Sequence, residues 1–321
     1  MEEPRLFDMR NVFPVTKYTF NMKTLSWHGR RTFVRVCRPD MYAAHGGMRV
    51  CFDVNEVDPA DPHSEEILNV AKMYRRNIPD VVEGDFFTEG EMQHLCAEIV
   101  RQFNCAPYTG LEKPCHRVQP EMIICSIVAV NREDIPDHLY NSRMGFFSYH
   151  TTDSDRVLFA MEPKLVGHFT KYNSNFGKRY SSNEFPLTVP VQRHRRFRVF
   201  QAAEALSHFS LIQSGGGLLL CDLQGVEDRL TDPELHTYNQ KGMGIGNMGP
   251  EGIRRFVEGH VCSKVCRLIG LQPFAYTPGI FYVTDETNRT NPLLRLARRI
   301  NDPTRPERIT EPNPPVRNDQ T

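Results

Sequence analysis

An α+β fold is predicted by three features of the 321-residue sequence. The stretch from Thr24 to Val57 is dense in β-branched and aromatic residues, the composition that suits pleated, half-buried strands. Apolar residues at helical spacing follow Thr88, and a Ser-Gly-Gly-Gly turn at 214–217 leads into the apolar run Leu218 to Leu223.

The first stretch is interrupted at His45, Gly46 and Gly47, so an antiparallel sheet with a glycine-containing loop is expected. Ile67 to Tyr74 reads as a further short strand. Thr88 with Glu91 makes a capping-box pattern ahead of Met92, Leu95, Cys96, Ile99 and Phe103, which predicts an amphipathic helix of about four turns on that sheet. Met122 to Val130 and Val157 to Met161 are apolar strands, and Pro163 and Gly167 then break the pattern, placing a lobe boundary near Glu162. Beyond it, Arg198 to Phe209 reads as a helix, and Pro250 opens another whose apolar face is Ile253, Phe256, Val257, Val265, Leu268 and Ile269. After Asp285 the composition shifts to Asn, Arg and Pro; Pro303, Pro306, Pro312, Pro314 and Pro315 predict a largely flexible tail with one short helix near Leu293 to Ile300. The expected division is therefore an amino-terminal lobe, 1–161, a carboxyl-terminal lobe, 162–285, and a tail, 286–321.

An apolar content of 40% over this length can bury one large core or two modest ones, which suits an enzyme better than a small adaptor. Thirty-nine basic and 39 acidic side chains cancel, leaving no global field to draw in nucleic acid or an anionic membrane. The opening residues Met1 to Arg10 lack a basic segment followed by an apolar one, and runs such as Leu218 to Cys221 fall far short of the roughly 20 residues that span a bilayer. A cytoplasmic location without a membrane partner is expected. Nine cysteines in no short regular framework would there be thiols or metal ligands.

The densest chemical signal is Asp222, Gln224 and Asp232, set around one strand and the turn after it. Period-two geometry puts Asp222 and Gln224 on one face. Two carboxylates and a carboxamide suit magnesium, which binds through few protein oxygens plus substrate phosphates; taken alone, the Asp-x-Gln pair fits better as polar turn residues, and only the context reverses that reading. Lys72, on an otherwise apolar strand, can hold phosphates as a point charge or simply face solvent from a sheet edge. His260-x-Cys262-x-x-x-Cys266 places two thiols one helical turn apart; with a remote histidine, His208 or His236, it can close a tetrahedral zinc site. Buried thiols and a core histidine are the plainer reading. Gly244-x-Gly246-Asn247-x-Gly249 has a dinucleotide-fingerprint spacing but follows no apolar strand, so it is read as a loop entering the helix at Pro250, able to hold a phosphate or shape a substrate groove.

In order along the chain, Gly46-Gly47-Met48-Arg49, Val70-Ala71-Lys72-Met73-Tyr74, Glu162-Pro163, Lys171-Tyr172-Asn173-Ser174-Asn175, Ala205-Leu206-Ser207-His208-Phe209, Asp222-Leu223-Gln224-Gly225-Val226, Leu230 to His236, the glycine loop and the His-Cys-Cys set resemble the alpha-kinases, a group of atypical protein kinases. The resemblance runs from about Tyr42 to Phe274. It implies a two-lobed, protein-kinase-like α+β fold with a structural zinc in the carboxyl-terminal lobe, transferring the ATP γ-phosphate to serine or threonine of protein substrates. Lys72 and Arg49, with Gly46 and Gly47 beside them, would bind ATP phosphates, and Glu162 at the hinge would contact adenine. Gln224 and Asp232 would hold magnesium; Asp222 would orient the acceptor hydroxyl or take its proton. Lys171 and Asn175 would reach toward the terminal phosphate and metal, and His208, His260, Cys262 and Cys266 would bind zinc. Gly47 stands where the family more usually has alanine, and Ile269-Gly270-Leu271 where it has Leu-Gly-Leu. Two other functions compete: a catalytically silent nucleotide-binding scaffold, and a zinc-stabilised nucleic-acid module using the basic run 193–198.

Overall fold

The computed structural model describes residues 9–60, 67–108, 118–142, 145–149, 152, 154–178, 190–274 and 291–306. The chain divides into two compact units that are discontinuous in sequence: one takes residues up to Gly90 together with Cys125–Lys164, and the other takes Glu91–Ile124 and Leu165–Arg308. The sequence division at 161 and 162 differs in giving 91–124 to the first lobe, because nothing in the local pattern marks where a helix passes from one unit to the other.

The first unit is built on an antiparallel sheet of β1 (Val12–Asn21), β2 (Ser26–Val36), β3 (Ala44–His45), β4 (Arg49–Val57), β5 (Ile67–Tyr74), β7 (Ser126–Asn131) and β8 (Arg156–Pro163), in the order β2-β1-β7-β8-β5-β4-β3. Strand β2 also pairs with β4, so the sheet curls until it closes on itself. Alternation then buries two sets of side chains. Phe13, Val15, Val34, Phe52, Val128 and Phe159 fill one face; Tyr18, Trp27, Ile127 and Leu158 pack with Phe86 and Phe87 on the other. Those two phenylalanines open helix α1 (Glu83–Cys105), and Gly90 is small because a Cβ there would come within 2.7 Å of the Trp27 ring. A single-turn helix, α2 (Asp137–Tyr140), also belongs to this unit.

Helix α1 starts five residues before the expected capping threonine. Its cap is half of a capping box: the Asp85 carboxylate accepts from the Val82 amide at 2.9 Å. Thr88 lies inside the helix and donates to the Gly84 carbonyl at 2.8 Å, the back-bond that hydroxyl residues make in helix interiors. The expected strand Met122 to Val130 is likewise two pieces, β6 (Glu121–Met122) and β7.

The second unit contains a four-stranded sheet, β6-β12-β11-β9, and a two-stranded one, β10-β13. These are β9 (Phe169–Lys171), β10 (Leu218–Cys221), β11 (Gln224–Val226), β12 (Arg229–Thr231) and β13 (Glu234–Thr237). Helix α3 (Pro190–Gln213) is longer at both ends than expected, and from Ala202 to Leu211 every residue is buried. A helix buried all round must satisfy its polar side chains internally: Ser210 Oγ donates to the Ser207 carbonyl and accepts from the Leu220 amide of β10. The single helix expected after Pro250 is two, α4 (Gly249–Gly259) and α5 (Lys264–Leu268), separated at His260 by extended backbone with ψ 132°. In the tail, α6 (Pro292–Ile300) buries Leu293, Leu294, Ala297 and Ile300; the remaining tail residues, 286–290 and 307–321, lie outside the described ones. The basic run falls early in α3, where side chains up to residue 197 are also outside them. No helix among the described residues is long and apolar enough to cross a membrane.

Candidate functional site

In the first unit, β5 pairs with β8 so that Lys72 lies opposite Ala160 and Val70 opposite Glu162. Glu162 is two residues from Ala160 and therefore shares its face. Lys72 Nζ reaches the Glu162 carboxylate at 2.6 Å, with side chains 8% and 3% exposed. Desolvating two charges costs more than most such pairs return, which makes this nearly inaccessible pair a candidate for a functional position. Cys125 is close enough to feel this pair: burial, reinforced by Glu162 and opposed by Arg49 and Lys72, pushes its thiol up to about 12. Arg49, on β4, pairs with Glu89 of α1 and lies 5.4 Å from the centre of the Tyr74 ring. Glu89 was not legible as a site residue, since one carboxylate on the buried side of a helix carries no motif. A Cβ at Gly47 would meet open space, and one at Gly46 would lie in ordinary contact with the Arg49 carbonyl at 3.7 Å, so neither glycine of the loop before β4 is required by crowding.

In the second unit, the strand expected through Leu223 stops at Cys221, and Asp222 takes a left-handed backbone with φ 57°. Period-two geometry therefore does not apply, but the two side chains meet all the same: Gln224 Nε2 donates to Asp222 Oδ2 at 3.0 Å and to the Asp232 carbonyl at 3.2 Å. With its nitrogen so used, the carboxamide has Oε1 to present to a cation. Asp232 is also left-handed, φ 53°. The other Asp222 oxygen meets Lys171 Nζ at 2.7 Å and the Asn175 amide at 3.2 Å. Burial raises the Asp222 carboxyl above its ordinary value, against the opposing effect of Lys171. The structure thus gathers five expected residues, Lys171, Asn175, Asp222, Gln224 and Asp232, around one turn of one unit. Asn173, in the same segment, was missed as a supporting residue: its Oδ1 accepts from the Leu223 amide at 2.9 Å and its Nδ2 donates to Ser207 and Glu204.

The ligand atoms of His208, His260, Cys262 and Cys266 all lie within 4.8 Å of one another. Cys262 Sγ is 3.7 Å from His208 Nδ1, and Cys266 Sγ is 3.7 Å from His260 Nε2, close to the N-to-S separation across a tetrahedral zinc. Behind His260, the fully buried Glu204 carboxylate stands 3.5 Å from Nδ1, the placement that directs Nε2 to a metal. Burial and the neighbouring His260 push His208 down to about 3, and burial pushes the Cys266 thiol up to about 11. The donor set fits zinc. The two cysteines do not share a helix face, however, because Cys262 precedes the α5 cap Ser263. His236, the other candidate ligand, is outside this group.

The glycine loop is shaped by contact. A Cβ at Gly246 would fall 2.1 Å from the Glu234 carboxylate, and one at Gly249 2.5 Å from Gln240. Asn247 pins the loop: Oδ1 accepts from the Thr237 and Gly249 amides, and Nδ2 donates to Thr237 Oγ1 and the Gly242 carbonyl. Gly244 has φ 90°, and the loop runs into α4 with Pro250 in its first turn.

The alpha-kinase family model matches residues 44–266, well over half of the chain, and the chain belongs to that family. It is 29% identical over 259 residues to alpha-protein kinase 1 of Dictyostelium discoideum, covering 80% of this chain and 15% of that protein. It is 24% identical over 285 residues to the human eukaryotic elongation factor 2 kinase, covering 89% of this chain and 33% of that protein. The chain thus spans a third or less of the length of these relatives. Its fold matches the crystal structure of the alpha-kinase domain of myosin-II heavy chain kinase A in complex with AMP-PNP, with a TM-score of 0.61 at 21% identity, covering 82% of this chain and 98% of that one.

Proposed function

We propose that this chain is the catalytic domain of a serine/threonine protein kinase, transferring the γ-phosphate of ATP to hydroxyl groups of cytoplasmic protein substrates. The observation that carries the reading is the convergence of Asp222, Gln224, Asp232, Lys171 and Asn175 on one turn. Phosphoryl transfer asks a protein for positioning and charge neutralisation more than for covalent chemistry, and this group offers both. Asp222, held between Lys171 and Gln224, aligns the acceptor hydroxyl and takes its proton. Raised by burial, its carboxyl is a better base than an exposed aspartate. Gln224 and Asp232 would hold magnesium, which supplies charge neutralisation at the phosphates. Lys171 exchanges its bond to Asp222 for one to the transferred group, with Asn175 beside it.

In the first unit, Lys72 and Arg49 bind the nucleotide phosphates, and Glu162 contacts adenine. The buried Lys72–Glu162 pair supports this reading as a preformed polar partnership that nucleotide can enter. Zinc at His208, His260, Cys262 and Cys266 would be structural, since all four positions are filled by protein and no ligand position is left open.

Incubation of the purified chain with labelled ATP, magnesium and a helical peptide bearing serine or threonine tests the proposal. Lys72→Ala and Asp232→Ala are each expected to reduce transfer at least a hundredfold, on the order of the loss when one charge-stabilising group is removed, with unchanged circular dichroism. Near-wild-type activity in either variant refutes the assignment. A wild-type chain that is stabilised by ATP but transfers no label is instead the silent scaffold.

A further inference from the structure

His236 is fully buried on β13, carries no role in the chemistry above and is not a metal ligand, yet three chain segments converge on its ring. Met248, which precedes α4 at the end of the glycine loop, points its backbone amide at Nδ1 at 3.1 Å. An amide N–H can only donate, so Nδ1 is the acceptor, and the neutral ring must carry its hydrogen on Nε2. That hydrogen has an acceptor in line: the Asn175 carbonyl, 2.8 Å from Nε2. Its partners therefore determine the tautomer. Asn175 in turn donates its own amide to Asp222 Oδ1. Cys221, the residue before Asp222, has its sulfur 3.4 Å from Nε2. Helix α4 is pressed against the ring, since a Cβ at Gly252 would stand 2.2 Å from Cδ2 and 2.5 Å from Nε2.

We infer that His236 is a positioning residue for the transfer reaction: its Nε2–H form clamps Asn175 against Asp222 and ties that contact to the glycine loop through Met248. The inference rests on the kinase reading of this site. A buried ring bonded at both nitrogens restrains the Asn175 backbone, and through it the direction of the Asp222 carboxylate. Small misplacements of a catalytic group are costly to rate even when substrate still binds.

Two near-isosteric amides separate the two bonds. The carboxamide in His236→Gln reaches the Nε2 position and can donate to the Asn175 carbonyl, but it leaves the Met248 amide unbonded. In His236→Asn the oxygen takes the Nδ1 position and accepts from Met248, but the bond to Asn175 is lost. If the clamp acts on Asp222, His236→Asn lowers kcat roughly tenfold to a hundredfold, with KM for ATP within about twofold of wild type, whereas His236→Gln keeps kcat within a few-fold. Gly252→Ala, which pushes a methyl group into the ring, reproduces the kcat loss and covers the case in which His236→Asn does not fold. Amide hydrogen exchange provides a readout independent of activity: Met248 is expected to exchange faster in His236→Gln and to stay protected in His236→Asn. Equal kcat losses in the two amide variants, or full kcat in His236→Asn, overturn the positioning role. Unchanged Met248 exchange in His236→Gln overturns the clamp itself. A wild-type chain that transfers no phosphate sinks the kinase reading, and the exchange result still decides the bonding pattern.

Discussion

Asp222 and Asp232 both adopt left-handed backbone, with φ of 57° and 53°. For residues other than glycine this conformation is uncommon, although aspartate tolerates it better than most, and it persists where the surroundings over-determine it. Here Lys171, the Asn175 amide and Gln224 hold Asp222, and Gln224 also holds the Asp232 carbonyl; burial, joined by the charge of Asp232 that the kinked turn brings close, raises the Asp222 carboxyl. Glu56 shows a different use of charge. On β4 it accepts from Lys17 at 2.6 Å, from Arg30, and from Thr32 Oγ1 at 3.2 Å. Burial pushes its carboxyl up, but Lys17 and Arg30 outweigh burial and hold it below the ordinary 4.5. A folded-state value below the unfolded one contributes stability that is complete above about pH 4.5 and is lost as pH falls through the lower, folded value. Glu56→Gln is therefore expected to destabilise the chain by about 2 kcal/mol at neutral pH, with the difference from wild type closing in acid. Denaturant melts of both proteins at pH 7 and about pH 3 check this, and a gap of equal size at both pH values contradicts it.

At the scale of elements, α6 shows how a short helix in a proline-rich tail is held. Asn291 caps it, accepting from the Leu293 and Leu294 amides, and its Nδ2 donates to the Gln213 carbonyl at the end of α3. Asn291→Ala removes the cap and this tie together. The expected cost is about 1–2 kcal/mol, seen as a lower denaturation midpoint with phosphorylation unchanged; an unaltered midpoint means the helix is held by its apolar face alone. Elements with a strong local signature were legible from sequence: β5, β8, β10 and the start of α4 each follow from a short apolar run, a glycine turn or a proline. The start of α1 was not, because valine occupies the cap position and the capping atom comes from Asp85, three residues later. Nor was the break at His260, where apolar spacing continues across two helices while the backbone turns. Among site residues, those in dense motifs could be named. Glu89, Asn173, Glu204 and the pairing of Lys72 with Glu162 could not, because each depends on contact between segments far apart in the chain.

For the molecule as a whole, stability is shared between two compact units of different construction. The first buries both faces of a closed sheet. The second has short strands of four residues or fewer, and the His208, His260, Cys262 and Cys266 group joins α3, the end of α4 and α5 within it. Zinc bound to that group would hold together segments 52 or more residues apart in sequence, from His208 to His260 and beyond, and a ligand that binds only the folded form stabilises it by mass action, by about 4 kcal/mol at a thousandfold excess over its Kd. The purified chain is thus expected to carry about one zinc, and stripping it with a chelator, or Cys266→Ser, should lower the melting temperature of the second unit by roughly 10 °C. The first unit's transition should hold its place, since none of the four residues belongs to it. Elemental analysis and calorimetry read both quantities. A folded chain without zinc, or a melting profile indifferent to chelator, removes the metal from the structure of this unit and leaves His208 and His260 as histidines packed edge to face, with ring centres 4.7 Å apart.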